Sequence, residues 1–367
     1  MIVRNEEEWL GRCLSSVSSY VDEMVIVDTG SSDRSVEIAA SYGANVIHYK
    51  WENDFAKARN VSLAHATGDW ILWMDADEEL APEDGPALRE GISVSEDPLL
   101  LIQLINYYGA APPDSSRAYH IAHHRLIRNG RGFCFSQPIH EQLNTEAVLG
   151  TVAAIRTLPV RIFHYGYMDE VKHSKKKTER NLEILLRQKE DESYSPWIDY
   201  HLASEWMGLQ KYEAALGSVN LAIARFLAAG QLPPSIVYKL KYATLLEAGY
   251  AAKICPAIDK AIRIYPDYVD LYFYKGMARF LLGQYDEAAQ TFSECIAIGE
   301  SCNHHLTMRG TGSFFAYYYR GQCREHMGLP NEASADYIAA LQLHPQFEQA
   351  AQALNTLQVA EEERGCR

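Results

Sequence analysis

The sequence predicts an α/β domain built on a mostly parallel sheet, followed by a wholly helical domain of stacked hairpins. Three observations carry this reading. Short apolar runs alternate with amphipathic stretches over residues 1–110, the βαβα rhythm that builds helix-covered parallel sheets. The run Trp70-Ile71-Leu72-Trp73-Met74 passes directly into Asp75-Ala76-Asp77-Glu78-Glu79, placing two carboxylates at the end of a buried strand. Beyond residue 195 one phrase recurs at regular spacing, without any strand signal.

Taken in order, only Met1, Ile2 and Val3 are left for an opening strand. That is fewer than the typical five or six or so residues, and predicts a start trimmed or misassigned relative to the native one. From Glu6 to Tyr20 the residues Trp9, Leu10, Leu14 and Val17 form a helical face. Met24 to Val27 reads as a buried strand ending at Asp28-Thr29-Gly30-Ser31-Ser32-Asp33, whose side chains cap a helix starting near Arg34. Ser35 to Tyr42 continues that helix and Gly43 stops it; Asn45 to Tyr49 is a third strand, and Ala56 to Ala66 another helix. After the turn signal Thr67-Gly68-Asp69, Trp70 to Met74 is expected as a strand buried on both faces of a parallel sheet. Leu99 to Tyr107 and His120 to Ile127 are expected to pair antiparallel, with Val160 to His164 as one more short strand. Glu170 to Glu192 is a charged helical segment with Leu182, Leu185 and Leu186 on one face. The expected division is a catalytic domain over 1–168, a helical linker over 169–194 and a repeat domain over 195–367.

Gly249, Gly283 and Gly328 precede Ala261, Cys295 and Ala340 by the same twelve residues. Gly283-Gln284-Tyr285-Asp286-Glu287-Ala288 and Gly328-Leu329-Pro330-Asn331-Glu332-Ala333 share one register, and Met207 to Ala215 carries a further copy with a small insertion. The spacing of 34 between Gly249 and Gly283 resembles the tetratricopeptide repeat. The 45 residues from Gly283 to Gly328 imply an insertion, placed at Gly299 to Gly312. About four hairpins would form a short superhelix with a concave face for extended peptide. The tyrosines of these helices, Tyr238, Tyr242, Tyr272, Tyr274 and Tyr317 to Tyr319, read mostly as packing residues, with some lining a groove. An apolar flank without a cap near Ala350 to Leu357 offers a place for a second copy to pair as a homodimer, with the oligomeric state left open.

A formal net charge of -14 argues against nucleic acid or an anionic membrane surface as the main partner. The seven cysteines are scattered and form no Cys-x-x-Cys pair, which disfavours a zinc ribbon or a disulfide framework. No stretch approaches about 18 consecutive apolar residues, and the first residues lack the profile of a signal peptide. The expected setting is cytoplasmic, without a transmembrane segment.

The chemistry centres on Asp75 and Asp77. Two carboxylates this close repel each other unless a cation compensates, and Mg²⁺ or Mn²⁺ shared with substrate phosphates suits them; the competing reading is a solvated acidic turn. With Met1-Ile2-Val3-Arg4-Asn5-Glu6-Glu7, Val27 to Asp33, Phe55-Ala56-Lys57-Ala58-Arg59-Asn60 and Trp73 to Glu78 in this order, residues Met1 to Tyr167 resemble family 2 glycosyltransferases of GT-A fold. The resemblance implies that Asp77 ligates the metal and that Asp75 lies nearer the ribose or a metal-bound water. It implies that Asp28 accepts a hydrogen bond from the uracil imide, although many members carry a second acidic residue where this chain has Thr29. His164 matches a histidine that often completes the metal site. Gln137 to Leu143 resembles the segment that positions the catalytic base, for which Glu141 is favoured over His140. Arg59 either neutralises an acidic neighbour, reaches the diphosphate, or pairs with Asp54 or Asp69. Among Lys172, Lys175, Lys176, Lys177 and Arg180, the pair Lys175 and Arg180 would clamp the diphosphate as part of a lid.

The resulting expectation is an inverting enzyme that moves a hexose from a UDP-sugar donor to a protein or peptide side chain, Ser, Thr or Cys, recruited by the repeats. Two alternatives differ in class: a glycan- or lipid-directed transferase whose repeats serve dimerisation, and a non-catalytic repeat scaffold.

Overall fold

The computed structural model describes residues 1–150, 155–174, 177–191, 194–300 and 304–365. The chain divides into two compact units, one of Met1–Asp114 with His120–Ile184 and one of Ser115–Tyr119 with the chain from Leu185 onward.

In the first unit β1 (Ile2–Val3), β2 (Val25–Asp28) and β3 (Asn45–His48) form a parallel sheet in that order, with Ile2 opposite Val27 and Val27 opposite Ile47. Helix α1 (Leu10–Val17) buries Leu10, Cys13, Leu14 and Val17, the helical face its spacing predicts. Helix α2 (Ser35–Ser41) starts where the Asp33 carboxylate accepts the Ser35 amide, and Gly43, at φ +72°, ends it in the left-handed region. Helix α3 (Phe55–His65) is capped by Asp54, which accepts the Lys57 amide at 2.9 Å.

Strand β4 (Trp70–Leu72) departs from expectation: it pairs antiparallel with the end of β7 (Ala118–Arg128), Trp70 opposite Arg128 and Leu72 opposite Leu126. Its apolar character reflects a partly covered position beside that strand, because alternation within three residues carries no direction. The second sheet runs β7, β6 (Leu99–Gly109), β10 (Thr157–Met168), β5 (Glu78–Leu80). Strand β10 is far longer than Val160 to His164 because it lies between two partners, parallel to β6 and antiparallel to β5. Leu80, Leu100, Ile102, Leu126, Val160 and Ile162 pack below this sheet with Cys13 and Val17 of α1 and with α4 (Gly85–Val94). A small hairpin of β8 (Phe135–Ser136) and β9 (Gln142–Leu143) holds residues 137–141 at its turn, with Gln137 and His140 at positive φ. Helices α5 (Thr145–Leu149), α6 (Asp169–Ser174) and α7 (Lys177–Gln188) complete the order up to the second unit.

The second unit is built from α8 (Pro196–Gly208), α9 (Tyr212–Ala228), α10 (Ser235–Glu247), α11 (Cys255–Ile264), α12 (Val269–Leu281), α13 (Tyr285–Ile298), α14 (Phe314–His326), α15 (Pro330–Leu343) and α16 (Glu348–Gly365). Gly249, Gly283 and Gly328 all adopt φ near +75°, so each hairpin turns through the same left-handed residue. Twelve residues on, Ala261, Cys295 and Ala340 are fully buried at the helix crossings. Crossing distances depend on glycine as well: a Cβ on Gly276 would lie 2.7 Å from Phe292, and one on Gly321 2.6 Å from Tyr337. Both members of that pair recur after 45 residues, the spacing of the repeat phrase itself. Ala350 and Leu357 are buried within this unit, against Phe314, Phe347, Ala333 and Tyr337. Among the described residues no helix is long and apolar enough to cross a membrane.

Candidate active site

Asp75, which follows β4, and Glu141 of the β8–β9 turn meet at one buried guanidinium. Arg59, on the inward face of α3, donates through Nη2 to Asp75 Oδ1 at 3.0 Å and through Nε and Nη2 to Glu141 Oε1 at 3.2 Å. Its plane lies against Trp73 and Phe135, 4.6 and 5.3 Å from the ring centres. Asp54 and Asp69, the partners considered from sequence, are not used; Asp54 is occupied as a helix cap. Burial opposes the charge on Arg59, but Asp75 and then Glu141 outweigh it and raise its affinity for the proton. Two atoms are left over among the described residues: Arg59 Nη1 is buried without a hydrogen bond, and both Arg59 bonds fall on Oε1 of Glu141, with none to Oε2.

Burial would raise the pKa of Asp75, yet Arg59 and Arg125 hold it down at about 2. Arg125, which no local pattern distinguishes, is 3% exposed. It pairs with Glu78, lies 3.9 Å from Asp75 Oδ2 and stacks 3.7 Å from the Trp73 ring centre. Glu78 itself accepts the Asp75 amide at 2.9 Å, and burial, the largest influence, pushes its carboxyl up to about 7. Glu78 therefore shapes the turn that presents the couplet.

Asp77 and His164 meet on the other side of this turn. Asp77 Oδ1 lies 3.5 Å from His164 Nε2, and the His164 ring is fixed by Nδ1 donating to Asn106 Oδ1 at 2.8 Å. The pairing of Asn106 with His164 comes from the register of β6 and β10, which sequence alone does not reveal. Burial works against a charged His164, but Asp77, Glu78 and Asp75 outweigh it and raise its pKa. Gly166 keeps the neighbouring space open: a Cβ there would lie 2.5 Å from His164 Nε2 and 2.8 Å from Asp77 Oδ2. One carboxylate oxygen, one imidazole nitrogen fixed by its second nitrogen, and a cradle that any side chain would fill together suit a divalent cation.

The remaining expected residues are more dispersed. Asp28 ends β2 and accepts the amides of Ser31 at 3.0 Å and Gly30 at 3.3 Å, with His48 Nδ1 at 3.2 Å. Burial would raise its pKa, and the Ser31, His48 and Gly30 contacts bring it below the usual range. His140 sits exposed in the β8–β9 turn; the surrounding protein and Arg180 hold its imidazole below the ordinary range. Arg180 lies over the Phe55 ring at 5.0 Å and bonds Asn181. Lys175 and Lys176 lie outside the described residues, as do Cys302 and Cys366.

Residues 1–158 match the model of glycosyl transferase family 2, and residues 257–290 match the tetratricopeptide repeat. Over 272 residues the chain is 33% identical to a TPR repeat-containing protein of Synechococcus elongatus, covering 71% of this chain and 63% of that protein. It is 27% identical to the prophage-derived glycosyltransferase SunS of Bacillus subtilis, over 62% of this chain and 53% of SunS. A lipopolysaccharide core biosynthesis glycosyltransferase of Rhizobium meliloti is 32% identical over 46% of this chain and 64% of that protein. The matches thus span roughly half to two thirds of the length of these relatives. The amino-terminal residues thus match a glycosyl transferase family 2 domain, joined here to residues that match the tetratricopeptide repeat.

Proposed function

We propose that this chain is an inverting glycosyltransferase that moves a hexose from a UDP-sugar to a side chain of a protein or peptide, with the help of a divalent cation. The observation that carries the reading is Arg59 tying Asp75, the first residue of the acid couplet, to Glu141. Asp77 and His164 would hold the cation, which when bound neutralises charge developing on the departing diphosphate. Asp28 would accept the uracil imide N–H. Glu141 Oε2 takes the proton of the acceptor O–H or S–H as that atom attacks the anomeric carbon; the bond from that carbon to UDP breaks and its electrons leave with the diphosphate. Arg59 holds the Glu141 carboxylate turned through two hydrogen bonds to Oε1, so its role is positioning. His140, exposed and biased toward the neutral form, ranks behind Glu141 as the base.

The repeats favour a peptide or protein acceptor, since such units present concave surfaces to extended chains. A saccharide acceptor is the second reading, favoured by the likeness to the lipopolysaccharide core enzyme. Incubation with a panel of UDP-sugars and MnCl₂, following UDP release with peptide, protein and saccharide acceptors, separates the two. Acceptor-dependent release that disappears with EDTA is expected. Release that ignores EDTA, or the absence of release and of UDP binding with every donor, contradicts the proposal.

A further inference from the structure

The insertion in the last repeats carries a second constellation, separate from the transferase chemistry. His304 and His305 follow α13 on the inserted segment, and Asp267 lies in the turn after Pro266 that precedes α12. His304 Nε2 lies 2.9 Å from Asp267 Oδ2 and His305 Nε2 3.2 Å from Asp267 Oδ1. One donor atom from each of the three residues falls within 4.8 Å of the others. Ligands on a tetrahedral zinc ion stand about 3.3 Å apart, given zinc–nitrogen bonds of about 2.0–2.1 Å.

The backbone around these ligands is held before any ion arrives. Asp270, fully buried, accepts Lys239 Nζ at 2.7 Å, the Met308 amide at 3.0 Å and the Thr311 hydroxyl at 2.9 Å. Leu306, next to His305, has its carbonyl bonded by Lys239 Nζ at 2.6 Å and by the Tyr268 hydroxyl at 2.7 Å. The His305 ring stacks on Tyr268 at 4.4 Å, and its Nδ1 meets Ser235 Oγ at 2.9 Å. A serine hydroxyl both donates and accepts. It accepts from Nδ1–H when Nε2 gives its lone pair to a metal, and donates to Nδ1 when Nε2–H faces Asp267. Ser235 is thus the outer partner that fixes a ligating imidazole.

We propose that Asp267, His304 and His305 bind one divalent transition-metal ion, zinc the best fit, which clips the inserted loop to the turn before α12. Two imidazole nitrogens and one carboxylate oxygen match zinc's preferred donors and leave a fourth position for water or a partner's ligand. The site differs in donor set from that of Asp77 and His164, so the two are separable by mutation.

The test is equilibrium dialysis of the full chain carrying Asp77→Ala and His164→Ala against Zn²⁺ alone, with a weak competing chelator. One retained equivalent is expected. Adding His304→Ala removes it, while far-ultraviolet circular dichroism stays unchanged because the His304 side chain is 68% exposed. Asp267→Asn, close to the parent in shape, should lose the equivalent too, and Co²⁺ in place of Zn²⁺ should give a visible absorption band that these variants lack. A chain that retains no zinc before His304 is changed, or as much afterwards, overturns the proposal.

Discussion

Two buried ionic clusters, one in each unit, differ in how completely they are satisfied. Around Asp270 every partner is in place: an ammonium, a backbone amide and a hydroxyl converge on one carboxylate with no exposure. Around Arg59 the bonding is incomplete, with Nη1 unbonded and buried and Glu141 Oε2 unused. Proteins leave few buried polar groups unpaired, because each costs about 1–3 kcal/mol. The first cluster therefore reads as scaffold and the second as a site with unfilled bonds.

Breaking the scaffold cluster should give the largest stability change. Asp270→Ala strands Lys239 as an unpaired buried charge, expected to cost about 3–5 kcal/mol in urea unfolding; a cost below about 1 kcal/mol would erase the distinction. Next comes overpacking at the repeat crossings. Gly276→Ala should cost about 1–3 kcal/mol, because the added methyl meets the rigid Phe292 ring. Gly166→Ala sharpens the contrast from the other side: it should weaken metal-dependent UDP binding at least about tenfold, on the scale of perturbing groups around metal ligands, measured by calorimetry with and without Mn²⁺. The smallest effect lies outside both clusters. The Arg161 guanidinium holds the Asp84 carboxyl below its ordinary range, so the native state binds this proton less tightly than the unfolded chain. That contribution is complete above the ordinary aspartate pKa and is lost as pH falls through the lower native value. Asp84→Asn should therefore cost about 1 kcal/mol at neutral pH and flatten the acid limb of the stability curve below about pH 4.

Much of this organisation is legible in the sequence. The α1 face, the cap at Asp33 and the repeat register are local patterns, and glycines at fixed offsets mark both the left-handed turns and, at Gly276 and Gly321, the close crossings. The acid couplet is visible because five apolar residues run into it. What escaped is what strand register decides. The direction of β4 depends on the end of β7, dozens of residues away, and Asn106 meets His164 only because β6 and β10 align in parallel. Arg125 resembles any strand arginine until Trp73, Glu78 and Asp75 close around it. Arg59 stands out in the sequence, but its partners are nonlocal, and the nearer Asp54 is taken by the helix it caps.

The central claim is that Glu141 is the proton acceptor at a centre where Asp77 governs the donor. Single-turnover transfer and UDP-sugar binding, measured side by side on Glu141→Gln and Asp77→Ala, test it most directly. Glu141→Gln should bind donor within about threefold of the parent while transfer falls about 10²–10⁴-fold, and Asp77→Ala should lose the metal-dependent part of binding. Transfer at the parental rate in Glu141→Gln, or metal-dependent binding intact in Asp77→Ala, would contradict the account.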